Sequence, residues 1–149
     1  MKHITFYLLL FMLSTGVSTA QTDQQGVHDA VEDYLEGLYQ AAPERIERSV
    51  SKNLVKYGYW RETAEDEYSG SAMTYDQLFR LASGWNVGNK MKIDDSTPRE
   101  IVVLDVLDKT AVAKLTAQWG VDHFQLAKID GKWMIKHILW QAHPISDDH

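Results

Sequence analysis

Not one of the 149 residues is a cysteine. That excludes a disulfide framework, a thiolate nucleophile, a cysteine-ligated zinc and a lipoprotein anchor. Basic charge is also short, with 15 Lys+Arg against 21 Asp+Glu. A phosphate backbone or an anionic bilayer needs a basic surface, so neither nucleic acid nor membrane is expected as a partner. The sequence contains no His-Glu-x-x-His, no Gly-x-Ser-x-Gly, no phosphate-cradling glycine loop and no glycine-rich dinucleotide turn. The common hydrolase and nucleotide-dependent classes therefore find no support, and no cofactor or metal is expected. There is no internal repeat, no low-complexity stretch and only one long apolar run.

That run lies at the N-terminus. Lys2 and His3 give a weakly positive start, Ile4 to Leu13 is apolar, and Ser18-Thr19-Ala20 supplies small residues at a cleavage point. The run is too short to span a bilayer. The pattern predicts a signal peptide over residues 1–20 and a single exported domain over 21–149, in the periplasm or outside the cell and free of the membrane after cleavage. An uncleaved interfacial anchor or a buried first helix is the alternative. Because the leader carries only Lys2, the mature part keeps 14 Lys+Arg against 21 Asp+Glu, a charge of −7. A composition 44% hydrophobic and 24% charged is that of a folded chain. Without disulfides, it must stand on its hydrophobic core.

The first half reads as helical. Val27, Val31, Tyr34, Leu35 and Leu38 share one helical face, with Asp29, Glu32, Asp33 and Glu36 on the other. Thr22 and Gln25 have the spacing of a capping box. Pro43 opens a second short helix anchored by Ile46 and Val50, Leu54 to Trp60 reads as a short strand, and 61–71 as a solvent loop. Thr74 and Gln77 form a better capping box, opening a helix that Gly84 closes. The second half alternates instead. Ile101 to Leu107, Thr110 to Trp119, Val121 to Ile129 and Lys132 to His143 read as strands, the last two joined by the hairpin signal Asp130-Gly131. Helices followed by an antiparallel meander make an α+β fold.

Three stretches carry a resemblance: Ala30-Val31-Glu32-Asp33-Tyr34-Leu35-Glu36-Gly37-Leu38-Tyr39, Thr74-Tyr75-Asp76-Gln77-Leu78, and Asp122 through Ile135 with its Asp130-Gly131-Lys132-Trp133 turn. Together they resemble the putative lumazine-binding family, within the nuclear transport factor two-like superfamily, over about Gly26 to Pro144. The resemblance implies a cone-shaped fold, with N-terminal helices packed in a strongly curved antiparallel β-sheet around a pocket. It also implies dimers through the outer face of the sheet. Where superfamily members often place a histidine after the second helix, this chain has Ser51.

Strand parity supplies the candidate site. Asp122 shares a face with Phe124 and Leu126, so if these face the helices it points into the cone mouth. There burial raises a carboxyl pKa and suits it to general-base work, the role an aspartate plays in ketosteroid-isomerase-like relatives. A solvated Asp122 at the bend beside Gly120 is the alternative. His137 and His143 share parity with Trp133, Ile135 and Leu139, but six residues of strand hold them about 20 Å apart, too far for one metal. The expected lining is Tyr34, Trp85, Asp122, Phe124, His137 and Leu139, mostly apolar and suited to a flat, partly aromatic molecule. Ile138 and Trp140, on the opposite parity, make an apolar outer face and predict a symmetric homodimer. Three functions follow: an exported domain binding a small hydrophobic or aromatic molecule, an isomerase, dehydratase or cyclase using Asp122 as base, and an interaction module docking through the outer sheet face. Abundant aromatics without paired acid and base residues favour the first.

Overall fold

The computed structural model describes residues 19–145. The predicted leader up to residue 18 and the last four residues lie outside it. Helix α1 (Thr19–Tyr39) and helix α2 (Pro43–Ser49) lead into strand β1 (Val50–Trp60), strand β2 (Ser69–Met73) and helix α3 (Tyr75–Gly84). Strands β3 (Arg99–Val106), β4 (Thr110–Ala117), β5 (Gly120–Ile129) and β6 (Lys132–Ala142) follow. The architecture is α+β, as expected: three helices lie against one curved, unclosed six-stranded sheet in the order β2-β1-β6-β5-β4-β3. Among the described residues no helix is long and apolar enough to cross a membrane.

Local chemistry accounts for most boundaries. Thr74 accepts from the Gln77 N–H while the Gln77 side chain accepts from the Thr74 N–H, so α3 opens on a complete capping box. Pro43 starts α2 where a missing N–H is harmless. The Thr22/Gln25 spacing falls inside α1, which begins at Thr19. Asp130 and Gly131 both have positive φ, 49° and 78°, as a two-residue hairpin turn of the primed type demands. Along α1, Val27, Ala30, Val31, Tyr34, Leu35 and Leu38 are buried against the sheet. They meet Ala111, Ala113, Leu115 and Ala117 of β4, with Phe124 and Leu126 of β5. These small alanines let the helix approach the sheet closely.

Four features of the sheet differ from the sequence reading. Residues 69–73, with 69–71 expected as the end of the loop, form the edge strand β2, antiparallel to β1. The sheet is antiparallel except between β1 and β6, which run parallel. Thirdly, β4 stops at Ala117, and Gln118-Trp119 form the turn into β5.

A bulge in β6 has the largest consequence. Leu126 pairs with Ile135 but Gln125 pairs with His137, which leaves Lys136 as the extra residue. One extra residue reverses the parity beyond it. Trp133 and Ile135 face the helices as expected, but so do Ile138 and Trp140, while His137 and Leu139 turn outward: Ile138 is 2% exposed and Leu139 53%. The outer face is apolar through Val55, Tyr57, Val112 and Leu139, not through Ile138 and Trp140.

Candidate ligand site inside the cone

Four side chains from three elements and a turn meet at the centre of the inner face. Tyr34 comes from the middle of α1, Lys56 from β1, Asp122 from β5, and Trp119 from the β4–β5 turn. Lys56 Nζ donates to the Tyr34 hydroxyl at 2.8 Å and to Asp122 Oδ1 at 3.3 Å. The Tyr34 hydroxyl donates to the same Oδ1 at 3.3 Å, and Trp119 Nε1 donates to Oδ2 at 2.6 Å. Both carboxylate oxygens are thus engaged. Asp122 is 0% exposed, Tyr34 1% and Lys56 4%, so this is an ion pair away from water.

Aromatic rings enclose it. Phe124 meets Tyr34 edge-on at 5.2 Å, and Trp119 meets Tyr34, Tyr39 and Trp85 at 6.2, 5.6 and 5.4 Å. Trp140 lies 5.5 Å from Lys56 Nζ and stacks on Trp60 at 6.3 Å. Its indole covers Gly58, where a Cβ would fall 1.8 Å from Nε1. The turn carrying Trp119 is tied down by two further bonds: the Gln118 N–H donates to the Tyr39 hydroxyl at 2.9 Å, and the Gln118 side chain donates to the Met91 carbonyl at 2.9 Å.

Burial sets the electrostatics. It pushes the Lys56 ammonium below its ordinary value of 10.5, only partly opposed by the Asp122 charge and hydrogen bond. Burial, then the Asp122 charge, raises the Tyr34 phenol well above 10.0, so Tyr34 stays a neutral donor. Between the folded value of Lys56 and 10.5 the unfolded chain binds more protons, so this group makes stability rise with pH across that window. Above pH 10.0 Tyr34 acts in the opposite sense, because the folded state then retains its proton. Urea midpoints are therefore expected to climb as the pH rises towards 10.5 in the native protein relative to a Lys56→Met/Asp122→Leu variant. Parallel pH profiles for the two proteins would contradict this.

The expected lining residues are divided between two faces. Tyr34, Trp85, Asp122 and Phe124 converge inside the cone, with Phe124, Asp122 and Tyr34 sealed from solvent and Trp85 half-buried. His137 and Leu139 do not join them, because the β6 bulge turns both outward. There they line a concavity of about 400 Å³ with Val55, Tyr57, His123 and Gln125. His137 Nδ1 lies 2.8 Å from Gln125 Oε1. His143, exposed just beyond the end of β6, bonds the Ala117 carbonyl at 2.7 Å. The residue that the sequence reading missed is Lys56, a lysine in a strand that reads as solvent-facing unless Leu54, Lys56, Gly58 and Trp60 are taken as one alternating face.

Among the described residues, one trio brings metal-ligand atoms within 4.8 Å of one another, His28, Asp29 and Glu32. It lies on the outward side of α1, away from the cluster.

The family described as Putative lumazine-binding matches residues 22–141. No curated protein matches the chain. Solved structures do. A nuclear transport factor 2-like protein of unknown function from Methylobacillus flagellatus KT shares 20% identity at a TM-score of 0.62, covering 85% of this chain and 97% of its own. Another from Silicibacter pomeroyi DSS-3 gives 14% and 0.61, over 84% and 99%. A third, from Shewanella baltica OS155, gives 16% and 0.60, over 85% and 98%. At such identities the likeness is one of fold. With the family match covering nearly all of the described residues and the cone architecture shared by these neighbours, the chain belongs to the putative lumazine-binding family and has a nuclear transport factor 2-like fold.

Proposed function

We propose that the protein is an exported binding domain for a small, flat, partly aromatic molecule held inside the cone. The observation that carries this reading is the buried Lys56–Asp122 pair within a wall of aromatic rings. A buried ion pair is seldom the most stable way to fill a core, since apolar residues of similar volume are often as good or better. Ionisable groups shifted by burial inside an aromatic enclosure are characteristic of sites. Catalysis by Asp122 as a general base is less favoured, because both its oxygens are engaged and one must be freed before it accepts a proton. The binding reading predicts that Lys56→Met/Asp122→Leu stays folded but no longer binds. A thermal-shift screen of flat aromatic compounds is the check. A compound at about 100 times its Kd adds about 2.7 kcal/mol of stability, a rise expected in the native protein and absent in the variant. Compounds that stabilise both equally would place binding elsewhere.

Export rests on the leader. Cleavage after Ala20 removes only the first two residues of α1, six residues ahead of Val27, where its core face begins. Intact mass of protein recovered from the periplasm or medium should correspond to a chain starting at Gln21. Retention of Met1 would contradict it.

A second reading has its own observation. Tyr57 and Tyr59 stand exposed on β1 with their rings 5.2 Å apart, beside Val55 and Leu139. This apolar outer face suits a symmetric homodimer. Light scattering is expected to give a dimer at tens of micromolar (roughly), where interfaces of ordinary size are occupied. A monomer there would count against it.

A further inference from the structure

Trp119 is held in the way a ligand would be held. Its indole N–H donates to a buried carboxylate oxygen at 2.6 Å, a charge-assisted bond. Tyr34, Tyr39 and Trp85 meet its ring at 79°, 79° and 88°, the edge-to-face geometry by which aromatic side chains grip a flat ring. Yet Trp119 belongs to no helix or strand. It is the second residue of a two-residue turn, half-buried, while Tyr34 and Asp122, which receive it, are sealed within α1 and β5. The slot is built by the rigid interior and its occupant comes from the rim.

From this asymmetry we infer that Trp119 is an internal stand-in: its indole fills the slot that a planar heteroaromatic ligand with a ring N–H takes, and binding swings it outward. The inference rests on the ligand-binding reading of the cone and names the ligand class. With Trp119 in place, Asp122 Oδ2 has its donor, and among the described residues no buried carboxylate oxygen is left without a partner. A ligand that displaces the indole must therefore bring an N–H of its own. A ring of the same shape without a donor fills the volume but strands Oδ2. Selectivity for the N–H heterocycle of about 10-fold or more is expected from the loss of a hydrogen bond to a charged group.

Indole and indene have the same bicyclic shape, and only indole carries the N–H. Titration calorimetry of both against Trp119→Ala, which opens the slot, is expected to show indole binding at least about 10-fold more tightly. Equal affinities, or binding of neither, would overturn the inference. Should that variant not fold, the native protein still decides the matter through hydrogen exchange of the Trp119 indole proton. The stand-in opens locally, so this proton is expected to exchange about 10-fold or more faster than the backbone amides of β4 and β5. Exchange only through global unfolding would overturn the inference. A native protein that retains a small molecule while the Trp119 proton stays locked would remove the stand-in and leave ligand binding intact. A native protein that retains no small molecule from its host, while its Trp119 proton exchanges fast and Trp119→Ala prefers indole to indene, would count against ligand binding and leave the slot.

Discussion

Asp122→Asn is expected to destabilise the protein by about 3–5 kcal/mol, because it leaves the Lys56 ammonium in the interior without a counter-charge. Lys56 is 4% exposed, and its remaining partner, Tyr34, is a neutral hydroxyl. Among the described residues no other carboxylate pairs with Lys56 to take over. Adding Lys56→Met to an Asp122→Leu change is expected to recover most of the loss, since the double variant removes both charges together. Recovery stays incomplete by about 1–3 kcal/mol, because the Trp119 indole N–H and the Tyr34 hydroxyl lose their acceptor. Urea denaturation of Lys56→Met, Asp122→Leu and the double variant closes a cycle that isolates the coupling. Additive effects would mean that Lys56 and Asp122 do not depend on one another, and the ion pair would lose its place in the account.

Gly120→Ala is expected to cost about 3 kcal/mol or more, combining backbone strain with overpacking. Gly120 sits between Trp119 and Asp122 at φ +146°, and an added Cβ would fall 2.0 Å from the Gln141 carbonyl oxygen and 2.8 Å from Ala142 Cα. Those neighbours are backbone atoms of β6 and cannot swing aside. The register of β5 against β6 would have to yield, taking Asp122 and Trp119 out of line. Gly131→Ala is the control: φ is also positive, +78°, but nothing lies within 4 Å of the added carbon, so strain alone remains, about 1–2 kcal/mol. If the two substitutions were equal in thermal denaturation, contact with β6 would not be what fixes the turn.

Much of the fold could be read from local pattern. The Thr74/Gln77 box, the Asp130-Gly131 turn and the strict alternation of β4 each name an element and its boundary, because each acts within a few residues. What stayed hidden acts at longer range. Strand β2 is Ser-Gly-Ser-Ala-Met, exposed at the sheet edge, with no apolar face to give it a period. The parallel pairing of β1 with β6 joins segments about 80 residues apart and leaves no trace in either. The bulge at Lys136 is a single extra residue with no glycine to announce it, yet it reassigns every side chain after it. That is why Tyr34, Trp85, Asp122 and Phe124 were legible as inner residues while His137 and Leu139 were placed on the wrong face. Lys56 was missed for another reason. Its burial depends on Asp122, 66 residues away, and nothing in β1 alone distinguishes a paired lysine from a solvated one.

Whether the cone holds a molecule decides what the protein does. Native mass spectrometry of protein purified from its own host, under conditions that keep non-covalent complexes, reads this directly. A fraction of the protein is expected to be heavier than the bare chain by the mass of one small molecule per subunit, released on denaturation and missing from Lys56→Met/Asp122→Leu. The bare mass in every preparation, or an adduct that persists unchanged in the double variant, would contradict it.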